Sequence, residues 1–158
     1  MMPQAPGWTI EARPWDDPAG AELRARQRAE LDARYGSDDH EPGPPPSADD
    51  IAVFVVALDR ASGEAIGCGA LREIDPGSAE IKRMYVVPRA RGTGVATDLL
   101  RALESTAAQH GWITLRLETG TAQPEAQRFY QREGYREIPL FGSYVGSDLS
   151  VCYERQLR

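Results

Sequence analysis

A mixed α/β architecture is predicted, with one central sheet flanked by helices and elements in the order β-α-βββ-α-β-α-ββ. Three observations carry this. Short segments with period-two alternation or continuous apolar character recur along the chain, separated by Gly/Pro/Asp turns. Other segments place apolar residues at helical spacing between caps. A helix also separates the strand that ends near Val87 from the strand that begins near Ile113, so those two strands should pair in parallel through a crossover. The 158 residues suggest a single domain spanning 1–158.

Trp8 to Arg13 alternates apolar and polar residues and reads as a half-buried strand. From Asp17 to Tyr35 the stripe Leu23, Gln27, Leu31, Tyr35 reads as a helix stopped by Gly36. Ser37 to Asp50 holds Pro42, Pro44, Pro45 and Pro46, and is expected to be an exposed, mobile loop. Ile51 to Leu58 is continuously apolar, as in a strand covered on both faces. Glu64 to Ile74 and Ala79 to Val87 complete a meander joined at Asp59–Gly63 and Asp75-Pro76-Gly77. Thr93 to His110 is a helix with Val95, Leu99, Leu103 and Ala107 on one face. Ile113 to Glu118 alternates as a strand. Pro124 to Glu133 is a short helix with proline at its start and Gly134 at its end. Tyr135–Pro139 and Leu149–Leu157 read as closing strands.

Composition narrows the function. The net charge of −6 arises in the first 50 residues, which hold 11 acids against 5 arginines; the remainder holds 13 of each sign. That distribution speaks against nucleic acid as a partner, and an acidic surface would suit a cationic substrate. No apolar run reaches the roughly 20 residues that cross a membrane. Met1 to Gly7 lacks a basic-then-apolar leader pattern, so a cytoplasmic location is expected. Cys68 and Cys152 have no metal-ligand spacing and read as buried thiols, and no metal site is expected. His40 and His110 read as surface residues.

Met84 to Ala96 is the most informative stretch. A strand stops at Pro88, a basic turn follows, two glycines stand one residue apart, and a helix opens. This arrangement presents free backbone N–H groups at a helix N-terminus to an anion. Glycine lets a diphosphate approach the main chain, and a phosphate-bearing cofactor follows as an expectation. A tight strand–helix turn with solvated arginines is the competing reading.

Two motifs then carry a resemblance. Arg89-Ala90-Arg91-Gly92-Thr93-Gly94 is similar to the Gln/Arg-x-x-Gly-x-Gly/Ala signature of the GCN5-related N-acetyltransferases (GNAT). Ala126 to Tyr135 is similar to that family's A-x-x-[LF]-Y-x-x-x-G-[FY] helix. The resemblance implies acetyl-CoA as cosubstrate. Arg91, Gly92, Thr93, Gly94, Val95 and Ala96 would cradle its diphosphate, with added charge from Arg89 and Arg91. Met84, Tyr85 and Val86 would pair with its pantetheine arm where their strand splays from the next. Tyr130 corresponds to a proton donor for the departing thiolate, or to a packing tyrosine. Gln123 would contact the cofactor or cap a helix. Glu118 is the first candidate base and Glu80 the second; either is otherwise a solvated strand-end acid. Relative to some relatives the turn from Pro88 to Gly92 is short. The segments Asp17–Asp50 and Pro139–Ser147 would face the acceptor, where Phe141, Tyr144, Asp38, Asp39 and Glu41 either shape an amine site or are loop residues that simply lie nearby.

The implied activity is transfer of an acetyl group from acetyl-CoA to a primary amine of a small molecule or peptide, by direct attack in a ternary complex. The alternatives are transfer of a longer acyl group and an acyl-CoA-binding sensor without turnover. A homodimer is a state in which family members are often found. A dinucleotide-binding oxidoreductase fits poorly, because a third glycine and a repeated βαβ unit are lacking.

Overall fold

The computed structural model describes residues 6–157. Met1 to Ala5, part of the segment read for a leader pattern, lie outside the described residues, as does Arg158. The elements are β1 (Trp8–Ala12), α1 (Pro18–Tyr35), β2 (Ile51–Asp59), β3 (Ala65–Asp75), β4 (Ser78–Val86), α2 (Val95–Gln109), β5 (Thr114–Gly120), α3 (Pro124–Arg132), β6 (Arg136–Ile138) and β7 (Ser150–Gln156). This is the expected order. Seven strands form one sheet, β1-β2-β3-β4-β5-β7-β6, with β7 inserted between β5 and β6. Only β4 and β5 pair in parallel.

Helix α1 starts where its cap dictates. Asp17 accepts from the Gly20 amide and Pro18 opens α1. Neighbouring residues of β2 face opposite helices. Phe54 meets Gly20 of α1, whereas Val55 pairs with Gly69, which leaves room for Leu103 of α2. Residues 53–57 are therefore buried without interruption. The α2 stripe of Val95, Leu99, Leu103 and Ala107 is fully covered. Among the described residues no helix is long and apolar enough to cross a membrane.

One irregularity positions the site. The β4–β5 ladder runs from Ser78↔Thr114 to Ile81↔Leu117 and stops there. Just beyond, Cys68 pairs with Tyr85 and Ala70 with Lys82, so Arg83 and Met84 together oppose Gly69. That is a β-bulge, and it bends the strand. Arg83 sits at φ 56, a left-handed conformation that costs a non-glycine residue roughly 1–2 kcal/mol. Glu41 offsets this cost by binding the Arg83 guanidinium through both carboxylate oxygens, at 2.9 and 2.8 Å. The Cys68 thiol, pushed up to about 12 chiefly by burial, donates to the Arg83 carbonyl. Both cysteines are fully buried free thiols.

The segment from Ser37 to Asp50 is largely exposed, as expected of a proline-rich loop, but it turns inward at particular residues. His40 and Pro46 are buried, and the segment folds inward to deliver Glu41 to β4. His40 is not a surface residue: it binds Asp32 at 2.7 Å and stacks on Tyr35. His110 is exposed, as expected.

Gly20 gives a test of the α1 packing. A Cβ there would lie 2.3 Å from the Phe54 ring, which is itself held edge-on by Trp15. Gly20→Ala gains roughly 1 kcal/mol of helix propensity but forces overpacking worth about 1–3 kcal/mol. Urea denaturation should show a net loss of stability, and a stabilised variant would contradict this packing.

Candidate active site

Two cavities flank the point where β4 leaves β5. The larger, about 400 Å³, runs between the start of α2 and the face of α3. Met84, Tyr85, Val86, Arg91, Gly92, Gly94 and Ala96, all candidate cofactor contacts from the sequence, line it. The smaller, about 90 Å³, lies on the α1 side and is lined by Glu41, Lys82, Glu118 and Gln123, among others. Met84, Ala126 and Tyr130 belong to both walls, so the cavities meet at those three residues.

The main chain of the larger cavity is arranged to receive polar partners. Val87 donates its N–H to Ile66 on β3. By alternation, Met84 and Val86 turn their N–H and C=O groups the other way, into the gap. Gln27 donates to the Met84 carbonyl at 2.8 Å and Arg91 to the Val86 carbonyl at 3.0 Å. The N–H groups of Met84 and Val86 have no acceptor among the described residues. A pantetheine-type arm with amide groups can pair with such an edge as an added strand.

The turn before α2 is built from a short 3₁₀ segment, Pro88–Ala90, followed by Gly92 at φ 78 and Gly94 at φ 99. Only glycine adopts both conformations without strain. The space where a Cβ of Gly92 would project is open. Among the described residues, Gly92, Thr93, Gly94 and Ala96 have amides with no acceptor. The Val95 amide reaches only the Thr93 hydroxyl, at 3.5 Å. These donors at a helix N-terminus fit a diphosphate. Two expected contributions differ. The Arg91 amide is already bound to the Pro88 carbonyl, because the 3₁₀ turn closes there. Arg89 turns away to Glu64 and Asp59 on the β2–β3 hairpin, so it does not border the groove. The side chains of Thr93 and Val95 also point elsewhere: Thr93 binds the Ala90 carbonyl and Val95 is core.

Tyr130 is nearly buried, and its hydroxyl takes no hydrogen bond from the described residues. Burial pushes its pKa up, so it stays protonated at neutral pH. Phe129 and Tyr135 pack edge-on against its ring and fix it. Gln123 occupies the N-cap position of α3, makes no side-chain cap bond, and faces the smaller cavity.

The two candidate bases separate clearly. Glu118 lies past the last rung of the β4–β5 ladder and lines the smaller cavity. Burial raises its pKa to about 7, assisted by the charges of Glu41 and Glu80; the Ser150 hydroxyl, donating at 2.7 Å, and Lys82 oppose that rise. Glu80 is buried in a network with Arg72, Lys82 and Tyr144, at 3.3, 3.6 and 2.5 Å. It borders a different cavity, beside Phe141 and Gly142, and does not line the one that Glu118 faces. Lys82, Arg83, Ser150 and Gln27 have site positions that sequence reasoning did not assign, and Glu41 was named only as one of several acids near the acceptor. Glu41 had no signal beyond being one acid in a proline-rich loop.

Comparison with known proteins agrees with this geometry. A family profile described as an acetyltransferase (GNAT) domain matches residues 49–137. The IAA acetyltransferase of Azospirillum brasilense is 38% identical over 105 residues, which span 66% of this chain and 67% of that protein. A Klebsiella pneumoniae structure described as an acyl-CoA N-acyltransferase superposes with a TM-score of 0.78 at 35% identity, over 96% of this chain and 98% of that one. A GNAT-family acetyltransferase from Elizabethkingia anophelis, solved with acetyl-CoA bound, shares the fold with a TM-score of 0.69 at 18% identity, over 95% and 98% of the two chains. With the open strand edge, the glycine turn and these matches together, the chain belongs to the GNAT family and is an acetyl-CoA-dependent N-acetyltransferase.

Proposed function

We propose that the protein acetylates a primary amine by direct attack within a ternary complex, with Glu118 as base and Tyr130 as acid. One observation carries this reading: the cavity bordered by the free α2 amides and the cavity bordered by Glu118 meet at Tyr130. Acetyl-CoA supplies an acyl group already activated as a thioester. The α2 amides and the edge of β4 orient it, and positioning contributes a large share of the rate. Glu118 takes a proton from the acceptor ammonium, leaving a neutral nitrogen to attack the carbonyl carbon. The C–N bond forms as the C–S bond breaks. Tyr130 gives its proton to the departing sulfur, and the second proton, shed by the nitrogen as it becomes an amide, passes through solvent and restores the Tyr130 hydroxyl. Glu80 is committed to its ion pairs and serves to hold Lys82 and Tyr144.

A base must be ionised, and Glu118 ionises only above about 7. Acetylation measured as kcat/KM for the amine should therefore rise with pH through about 7. Glu118→Gln should lower it by roughly 10²–10⁴-fold and remove that inflection. A retained inflection would assign the base elsewhere. Glu118 also favours the protonated fold, so the wild type loses stability as pH rises from 4.5 through about 7. Glu118→Gln lacks this loss, which thermal melts across that range would read.

Tyr130→Phe removes a proton needed only as sulfur leaves. It should lower kcat with little change in KM for acetyl-CoA. A wild-type kcat would reduce Tyr130 to a packing residue.

Gly92→Asp places a side chain and a negative charge where an anion approaches. Calorimetry should show CoA affinity reduced by at least about tenfold. Unchanged affinity would remove the diphosphate from this turn.

A further inference from the structure

A third cavity, about 450 Å³, adjoins the acceptor side. Arg28, Glu41 and Arg83 form its common wall with the Glu118 cavity. Arg24 and Trp15 close the far end. Arg24 has no ion pair and no hydrogen bond among the described residues, and its Nη1 is buried without a partner. Its guanidinium lies 3.6 Å from the centre of the Trp15 ring, which holds it flat. The nearest acid on its own helix end, Asp17, is taken by Arg13 and the Gly20 amide. Burial and the charge of Arg83 both act against the charged form of Arg24.

The charge count decides what this space accepts. Three guanidiniums line this cavity with one carboxylate, Glu41, which Arg83 and Lys82 hold ionised with a pKa of about 2; Asp32, outside the lining, lies 3.9 Å from Arg28 and offsets part of that one charge. Of the acid-rich first 50 residues, only Glu41 borders this cavity. The local field is cationic, opposite to what the overall charge suggests. A buried guanidinium nitrogen with no acceptor is costly unless an anion satisfies it.

We infer that the acceptor is an amine that also carries an oxyanion, its ammonium at Glu118 and its anionic group among Arg24, Arg28 and Arg83. The inference rests on the amine-acetylation reading, whose acceptor it specifies. Guanidinium forks match carboxylate and phosphonate alike, so the chain length and type of anion are read from the test.

The test measures acetyl transfer to matched pairs: glycine, β-alanine and 4-aminobutyrate against their primary amides, with aminomethylphosphonate as a further arm. At least one acid should exceed its amide by about tenfold or more in kcat/KM. Arg24→Gln and, separately, Arg28→Gln should each cut that ratio about tenfold, towards one. Trp fluorescence titrated with glutarate, which has no amine, gives a second readout. It should saturate in the wild type and shift at least about tenfold in Arg24→Gln. Phosphonate outperforming the carboxylates would identify the anion and support the site. Amides acetylated as well as acids in the wild type would overturn the inference while leaving amine acetylation intact. No thiol release with any pair, alongside saturable glutarate binding lost in Arg24→Gln, would overturn the acetylation reading and keep the anion pocket. Glutarate binding that ignores Arg24→Gln would remove Arg24 from it.

Discussion

The parting of β4 from β5 after Ile81 is the constraint on which the rest of the structure depends. Two parallel strands would ordinarily continue to pair and bury each other's main chain. Here the bulge at Arg83 and Met84 turns β4 aside and leaves the Met84 and Val86 amides facing a gap. The larger cavity opens on one side of that gap and the smaller one on the other. The strain at Arg83 is held by Glu41, so the loop before β2 stabilises the same feature that forms the site. This links a strained residue to a functional place, as such residues often are.

Electrostatics in this small region distinguish three carboxylates, of which Glu80 is buried and Glu41 and Glu118 half-buried. Glu41 is pinned by Arg83 and Lys82 and remains charged. Glu80 is tied to Arg72, Lys82 and Tyr144. Glu118 has only a serine hydroxyl as a close partner, and burial lifts it into the range where it exchanges protons near neutrality. Environments that push neighbouring acids apart in this way separate a base from its supports. Arg24, Arg28 and Arg83 stand beyond Glu41 in the lining of the adjoining cavity, in a chain whose net charge is −6.

Much of the fold was legible because local rules and packing agree along this chain. The apolar run Val53–Ala57, the α2 stripe and the Pro124 start of α3 each follow from spacing and caps. Gly92 and Gly94 marked the tight turn before α2 because a positive φ leaves few other residues. The bulge was not legible: it uses Arg83 where a glycine would have announced it. Arg89 looked like a phosphate ligand but is drawn to Glu64, a partner remote in sequence. His40 and Glu41 looked like loop surface, and only tertiary contacts with Asp32, Lys82 and Arg83 bury them. Glu80 and Glu118 are both strand acids in sequence, and only the surrounding side chains distinguish them.

The central claim is that an open β4 edge and the free amides before α2 together hold the acyl donor by its main-chain-like and phosphate groups. Residue-resolved amide hydrogen exchange with and without CoA measures this directly. The account predicts that Met84, Val86, Gly92, Thr93 and Gly94 exchange much more slowly once CoA is bound. Unchanged exchange at those amides, with protection appearing on another face of the sheet, would contradict it.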